Sequence, residues 1–242
     1  MQTRLLGVLV LSVLMLPACG KSPDDPAPAS AIQGPRQAKP EPQQIVPLIS
    51  DPTNPTNPTD PGIGYFHHAS LWANHVSNSV SWTVAVLGIV RVRLHDFEQA
   101  RDVEEFCPGY GGATQAQREI CWIRLVGGIV EFESSFRPDE PPFNEGHGVY
   151  SVGLLALSTG ECSNALSTKA LMDPVQNLIC GVNKMAMLIS RGHTIDSPDH
   201  VGACAYWSTL RPPHKAQLPD GRWVILGKKN EIIARTKLFR QF

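Results

Sequence analysis

An apolar pattern begins at Ile120 and continues through Cys121, Trp122, Ile123, Leu125, Val126, Ile129, Val130 and Phe132. A helix that is apolar nearly all round lies inside a core and not on a surface. Thr114 can cap its first turn, Gln115-Ala116-Gln117-Arg118, and the spacing predicts a helix to about Glu133. A second helix is expected from Asp173-Pro174 to Met187 or Ile189, with Leu178, Val182, Met185 and Leu188 or Ile189 on one stripe. Residues 69–92 read as a further helical region, although Val84-Ala85-Val86-Leu87 is β-branched enough to leave its type open. Trp223-Val224-Ile225-Leu226, between Gly221 and Gly227, reads as a short strand. Phe106-Cys107-Pro108-Gly109-Tyr110 reads as a helix stop and turn. The fold class expected is mainly α, one globular domain over residues 63–242.

The first sixty or so residues follow a different pattern. Residues 1–18 hold Arg4, an apolar run of 12 residues over 5–16, and then Pro17-Ala18 before Cys19. A charged start, a short apolar segment and small residues before a cut read as a secretory signal. The run is well short of the ~20 apolar residues that span a bilayer as a helix. Leu16-Pro17-Ala18-Cys19 resembles a bacterial lipobox, in which the cysteine is lipidated and becomes the first residue of the mature protein. Gly20 after it, by resemblance to enterobacterial sorting, points to the outer membrane.

Residues 20–62 contain 11 prolines and no Trp, Tyr or Phe, and include the tandem Pro52-Thr53-Asn54, Pro55-Thr56-Asn57, Pro58-Thr59-Asp60. Such a stretch cannot bury enough apolar surface to offset its ordering entropy, and reads as a disordered spacer. At about 3.1 Å per residue it could reach on the order of 130 Å when fully extended.

Composition narrows the function classes. The 242 residues are 42% apolar and 18% charged, with a formal net charge of −1. This excludes collagen, a highly charged disordered chain and a disulfide miniprotein. It also argues against nucleic acid as a general partner, which calls for a basic surplus. Residues 211–242 nonetheless carry eight basic and two acidic side chains, a run that reads as a solvated surface or as a contact for an anionic polymer or lipid. After Cys19, five cysteines remain: Cys107, Cys121, Cys162, Cys180 and Cys204. An exported chain meets oxidising conditions, and an odd count leaves at least one thiol unpaired. Cys162 and Cys180 bracket a loop leading into a helix and are the favoured pair, with Cys107–Cys121 a second candidate. None has the spacing of a zinc site, so neither metal nor cofactor is expected.

Candidate chemistry lies where the buried helix ends, at Glu133-Ser134-Ser135-Phe136-Arg137-Pro138. Partial burial and the negative end of a helix both disfavour a carboxylate, so Glu133 is expected to hold its proton near neutral pH. A general acid that protonates a leaving oxygen has that requirement. Glu131, two positions earlier, points to the far side of the helix and makes a poor second carboxylate. Asp139, Glu140 and Glu145 follow in or after the Pro-rich loop 138–142 and are expected to be solvated unless one reaches over the cleft. His67, His68, His75, His95 and His147 lack metal-ligand spacing, and surface or capping roles are expected for them.

Three further segments follow in order: Gly153-Leu154-Leu155-Ala156-Leu157-Ser158, then Asp173-Pro174-Val175-Gln176-Asn177-Leu178-Ile179-Cys180-Gly181, then Ala205-Tyr206-Trp207. With Glu133-Ser134, their order and spacing resemble lytic transglycosylases of the soluble-lytic-murein-transglycosylase (SLT) type. Those have a lysozyme-like fold, an "ES" motif with the catalytic Glu, a "GLxQ" motif, an "N..CG" helix and an "AYN" motif. The resemblance covers roughly residues 115–211. It implies that Glu133 is the catalytic acid/base, and that Ser134, Gly153, Leu154, Tyr206 and Trp207 contact substrate. Ala156 departs from the usual Gln and Trp207 from the usual Asn; the indole at 207 suits either a sugar-stacking surface or the core.

The resemblance further implies peptidoglycan strands as the substrate. Glu133 would protonate the oxygen between N-acetylmuramic acid and N-acetylglucosamine, and the substrate's N-acetyl group would stabilise C1. The Glu133 carboxylate would then take the proton of the muramoyl C6 hydroxyl as that oxygen closes a 1,6-anhydro ring. A hydrolase resembling goose-type lysozyme is the alternative if a second carboxylate activates water. A non-catalytic glycan-binding lipoprotein is the alternative outside enzymes, and a secreted enzyme attacking a competitor's wall is a further one.

Overall fold

The computed structural model describes residues 62–146, 149–158, 160–162, 167–217 and 223–242. The signal segment, Cys19, the Pro-rich stretch up to residue 61, His147 and Gly221 lie outside the described residues. Eight helices, α1 (Gly62–Ala69), α2 (Val80–Val92), α3 (Leu94–Phe97), α4 (Val103–Phe106), α5 (Gln115–Ser134), α6 (Thr168–Leu171), α7 (Pro174–Gly192) and α8 (Lys229–Thr236), are described. Short strands β1 (Phe143–Gly146), β2 (Val149–Val152) and β3 (Leu157–Ser158) form an antiparallel sheet in that order. β4 (His214–Gln217) and β5 (Trp223–Leu226) form a separate antiparallel hairpin. The described chain is mainly helical, around one hydrophobic core.

α5 is the central helix. The Thr114 hydroxyl accepts from Gln117 N–H, and the Gln117 side chain accepts from Thr114 N–H, so donors at the helix start are satisfied reciprocally. From Ile120 to Val130 every residue is buried. The charges on such a helix need partners, because an unpaired buried charge is costly. Glu119, 1% exposed, accepts from Arg91 Nε and Nη2 (3.1 Å each) and from Gln115 Nε2 (2.9 Å). Arg124 donates to the carbonyls of Ala69 (2.8 Å) and Arg235 (2.7 Å), joining α5 to the ends of α1 and α8.

α7 begins as its sequence indicates, with Asp173 accepting from Gln176 N–H (2.8 Å) and Pro174 in the first turn. It continues to Gly192, past Ile189, and packs against α2 and α3. Residues 69–92 are not one helix. α1 and α2 are separated by a turn in which Asn78 takes φ 64°, and the β-branched 84–87 segment is helical within α2. Trp72 at this break is fully buried and donates to Thr83 Oγ1 (2.9 Å), which explains why the chain folds back here. Cys107 is bonded to Cys121 and Cys162 to Cys180, while Cys204 is a buried free thiol. The sheet over 143–158 has no counterpart in the sequence reading. Among the described residues no helix is long and apolar enough to cross a membrane.

Candidate active site

Glu133 occupies the last turn of α5 and is half-buried. The chain leaves the helix abruptly beyond it. Ser134 is buried, with its hydroxyl donating to the Val130 carbonyl (3.0 Å), so this side chain closes the helix end. Ser135 and Phe136 both take left-handed backbone conformations, with φ of 51° and 60°. The Phe136 ring is buried against His75, stacked with centroids 4.9 Å apart. Two consecutive left-handed residues without glycine cost energy that this packing must offset. The reversal leaves Glu133 at the edge of the core, with Arg137 and Glu140 beyond it as an ion pair.

The segment that meets Glu133 is residues 203–210, made of two short 3₁₀ turns, Ala203–Ala205 and Ser208–Leu210. The Thr209 hydroxyl donates to Glu133 Oε1 at 2.9 Å. In the same segment the Tyr206 phenol oxygen accepts from Ser158 N–H at the end of β3 (2.8 Å). Trp207 is 1% exposed and its indole N–H donates to the Leu155 carbonyl (3.0 Å). Three neighbouring side chains therefore tie the end of α5 to the β2–β3 turn. Lys184 stands over the Tyr206 ring at 4.2 Å and pairs with Glu161.

The β2–β3 turn is held from its other side by Asn177. This fully buried amide donates to the carbonyls of Val152 and Leu171 and accepts from Leu155 N–H, each at 2.9 Å. Gly153, at φ 71°, lies against it: an added Cβ would collide with Asn177 Nδ2 and stand 2.5 Å from the Leu171 carbonyl oxygen. Leu154 and Leu155 are fully buried, and Ala156 takes φ 47°.

These positions sort the residues singled out from the sequence. The structure brings Glu133 and Tyr206 onto one connected framework through the 203–210 segment. Ser134, Gly153 and Leu154 serve the backbone and core, and the Trp207 indole lies in the core and not on a sugar-stacking surface. Glu131 is engaged elsewhere, as both its oxygens accept from Arg235 of α8. His67 Nδ1 is 3.0 Å from Thr83 Oγ1, in the contact between α1 and α2. Among the described residues no three His, Cys, Asp or Glu side chains gather as a metal ion requires. Sequence reasoning missed Thr209, which sits in a single turn without periodicity. It quoted Asn177 only as part of a motif.

No protein-family model matches this chain, and no curated protein does. Among solved structures it is similar to DslA (Bd0314) of Bdellovibrio. With a wild-type form it shares 29% identity and a TM-score of 0.56, over 69% of this chain and 93% of that one. Two variants of that protein, each with a different glutamate replaced by glutamine, give TM-scores of 0.57 and 0.56 at 29% and 27% identity.

Proposed function

We propose that this protein is a peptidoglycan lytic transglycosylase with a lysozyme-like domain of the SLT type. Glu133 is its single acid/base. The observation that supports this reading is the Thr209–Glu133 hydrogen bond, which restrains one oxygen of a half-buried carboxyl at the edge of the core. The four motifs in register and the likeness to DslA support it.

In the reaction, the Glu133 proton passes to the glycosidic oxygen as the bond from muramoyl C1 breaks and the N-acetylglucosamine side departs. The substrate's acetamido oxygen shields C1. The Glu133 carboxylate then accepts the C6 hydroxyl proton while O6 bonds to C1, giving a 1,6-anhydro end and restoring the acid. No water is consumed. Tyr206 and Asn177 act through the backbone they hold, keeping the β2–β3 turn against the segment that carries Thr209. The proposal includes lipidation at Cys19, with residues 20–62 as a tether from the periplasmic face of the outer membrane.

One observation favours a second reading. The solved DslA variants replace two different glutamates, which singles out two carboxyl groups in that protein. A second carboxylate working with Glu133 here would make the enzyme a muramidase that adds water, with Asp139, Glu140 and Glu145 as its candidates.

The test is digestion of purified sacculi with the protein and with Glu133→Gln. Soluble fragments from the parent alone support an enzyme. Binding to sacculi without release by either would leave a glycan-binding protein.

A further inference from the structure

The β4–β5 hairpin is rooted at the candidate site. Lys228 N–H donates to the carbonyl of Thr209 (2.8 Å), and Lys229 N–H to that of Arg211 (3.1 Å). The backbone of β5 thus leaves the hairpin bonded to the residue whose hydroxyl holds Glu133. Gly227 makes this joint possible. It takes φ 82°, and a Cβ there would collide with the Pro212 carbonyl oxygen and lie 2.5 Å from that of Arg211. Backbone-to-backbone contact sets the direction in which the hairpin projects.

The register pairs Lys215 with Ile225. Alternation along β5 puts Trp223 and Ile225 on one face, and Lys215, directly opposite Ile225, shares it. All three are exposed, Trp223 at 65% and Ile225 at 54%. An indole is normally among the more buried side chains, and a bare apolar pair on a narrow hairpin is an association hazard unless something covers it. The hairpin's own charge says what that is: β4 and β5 hold the exposed Lys215 and no acidic residue, while Lys229 and Arg235 farther along the basic run are taken up by Glu105, Asp196 and Glu131. The complement is an anionic polymer that also offers apolar patches.

We propose that the face formed by Lys215, Trp223 and Ile225 is a glycan-contact arm of the candidate active site, gripping the peptidoglycan strand next to the bond at Glu133. This rests on the wall-cleaving reading above. The Trp223 ring covers the C–H face of a sugar, Ile225 flanks it, and the Lys215 ammonium meets a carboxylate of the strand's peptide substituents. An amino-sugar strand bearing peptide carboxylates supplies both the apolar ring faces and the negative charge that this surface lacks.

The test uses the full chain carrying Cys19→Ser, so that no lipid contributes, and Glu133→Gln, so that the strand is not consumed. Binding is read by cosedimentation with purified sacculi and, separately, with phosphatidylglycerol vesicles. Trp223→Ala with Ile225→Ala is expected to weaken sacculus binding about tenfold, the scale of losing a central aromatic anchor. Lys215→Glu weakens it further, and neither change moves the thermal midpoint, since these side chains are exposed. Sacculus binding at the parent level in these variants overturns the arm, as does a loss confined to vesicles, which assigns the face to lipid. In that case fragment release by the protein with Glu133 intact still stands or falls by itself. A protein that neither binds nor cleaves sacculi ends both readings together.

Discussion

The Thr209 hydroxyl reaches Glu133 Oε1 across 76 positions of sequence. It links the end of the buried helix α5 to a single 3₁₀ turn. The bond restrains one oxygen of the Glu133 carboxyl close to the point where the chain turns away at Ser135. A fixed carboxyl is what acid catalysis requires, since the proton must meet the leaving oxygen in one geometry. In the proposed reaction Thr209 is a positioning residue.

Thr209→Val keeps the shape and removes the donor. A hydrogen bond to a charged or partly charged carboxyl is worth enough that fragment release from sacculi should fall about 10–100-fold. Thr209→Ser restores the donor and should recover most of the rate. Equal losses in Val and Ser would assign Thr209 to packing alone.

Gly153→Ala tests the clamp at the β2–β3 turn. The new Cβ would meet Asn177 Nδ2 and the Leu171 carbonyl at a left-handed φ of 71°. Strain together with broken buried hydrogen bonds should cost about 3–5 kcal/mol. Thermal denaturation reads this directly, and a midpoint equal to the parent's would contradict the clamp.

Glu131→Gln is the control for Glu133. Glu131 and Arg235 form a bidentate pair between α5 and α8, about one-third exposed on each side. Its loss should cost about 1 kcal/mol or less, with fragment release unchanged. A collapse of activity with stability intact would move the acid/base from Glu133 to Glu131.

Stability should fall at high pH for two identifiable reasons. Burial pushes the Cys204 thiol up to about 11 from its ordinary 9.0, and the Tyr110 phenol up to about 12 from 10.0. The folded chain keeps these protons where the unfolded chain releases them, so the stability they contribute is complete below about pH 9 and is lost as pH rises through 11 and 12. Phenolate absorbance followed alongside circular dichroism should show the Tyr110 phenol ionising only as structure is lost. Its ionisation near pH 10 with the fold intact would contradict this.

Much of the architecture is readable without coordinates, and the reasons are local. Thr114 with Gln117 and Asp173 with Pro174 are start signals that depend on a few adjacent residues, and α5 and α7 begin where those signals stand. The apolar run from Ile120 forms one helix because its pattern leaves no face for water. What escapes is what depends on contacts distant in sequence. The break between α1 and α2 turns on the buried Trp72–Thr83 bond and a left-handed Asn78, neither of which has a periodic trace. The sheet over 143–158 is made of strands two to four residues long, too short for alternation to register.

The site divides along the same line. Glu133 stands out because a carboxyl at the end of an apolar helix is unusual. Thr209 carries no such mark, and its role exists only once residues 203–210 fold against α5. Trp207 is legible as aromatic but not as buried, and its bond to the Leu155 carbonyl decides the matter. The motif at 153–158 identifies a turn whose glycine serves Asn177, so its regularity reflects backbone geometry.

In the proposed reaction Glu133 alone carries both proton transfers and no water enters. Mass spectrometry of glycan fragments released from purified sacculi tests it most directly, with Glu133→Gln in parallel. The expected products are anhydro-ended, one water lighter than hydrolysed fragments, with none from the variant. Reducing-end products from the parent, or anhydro products persisting with Glu133→Gln, would contradict it.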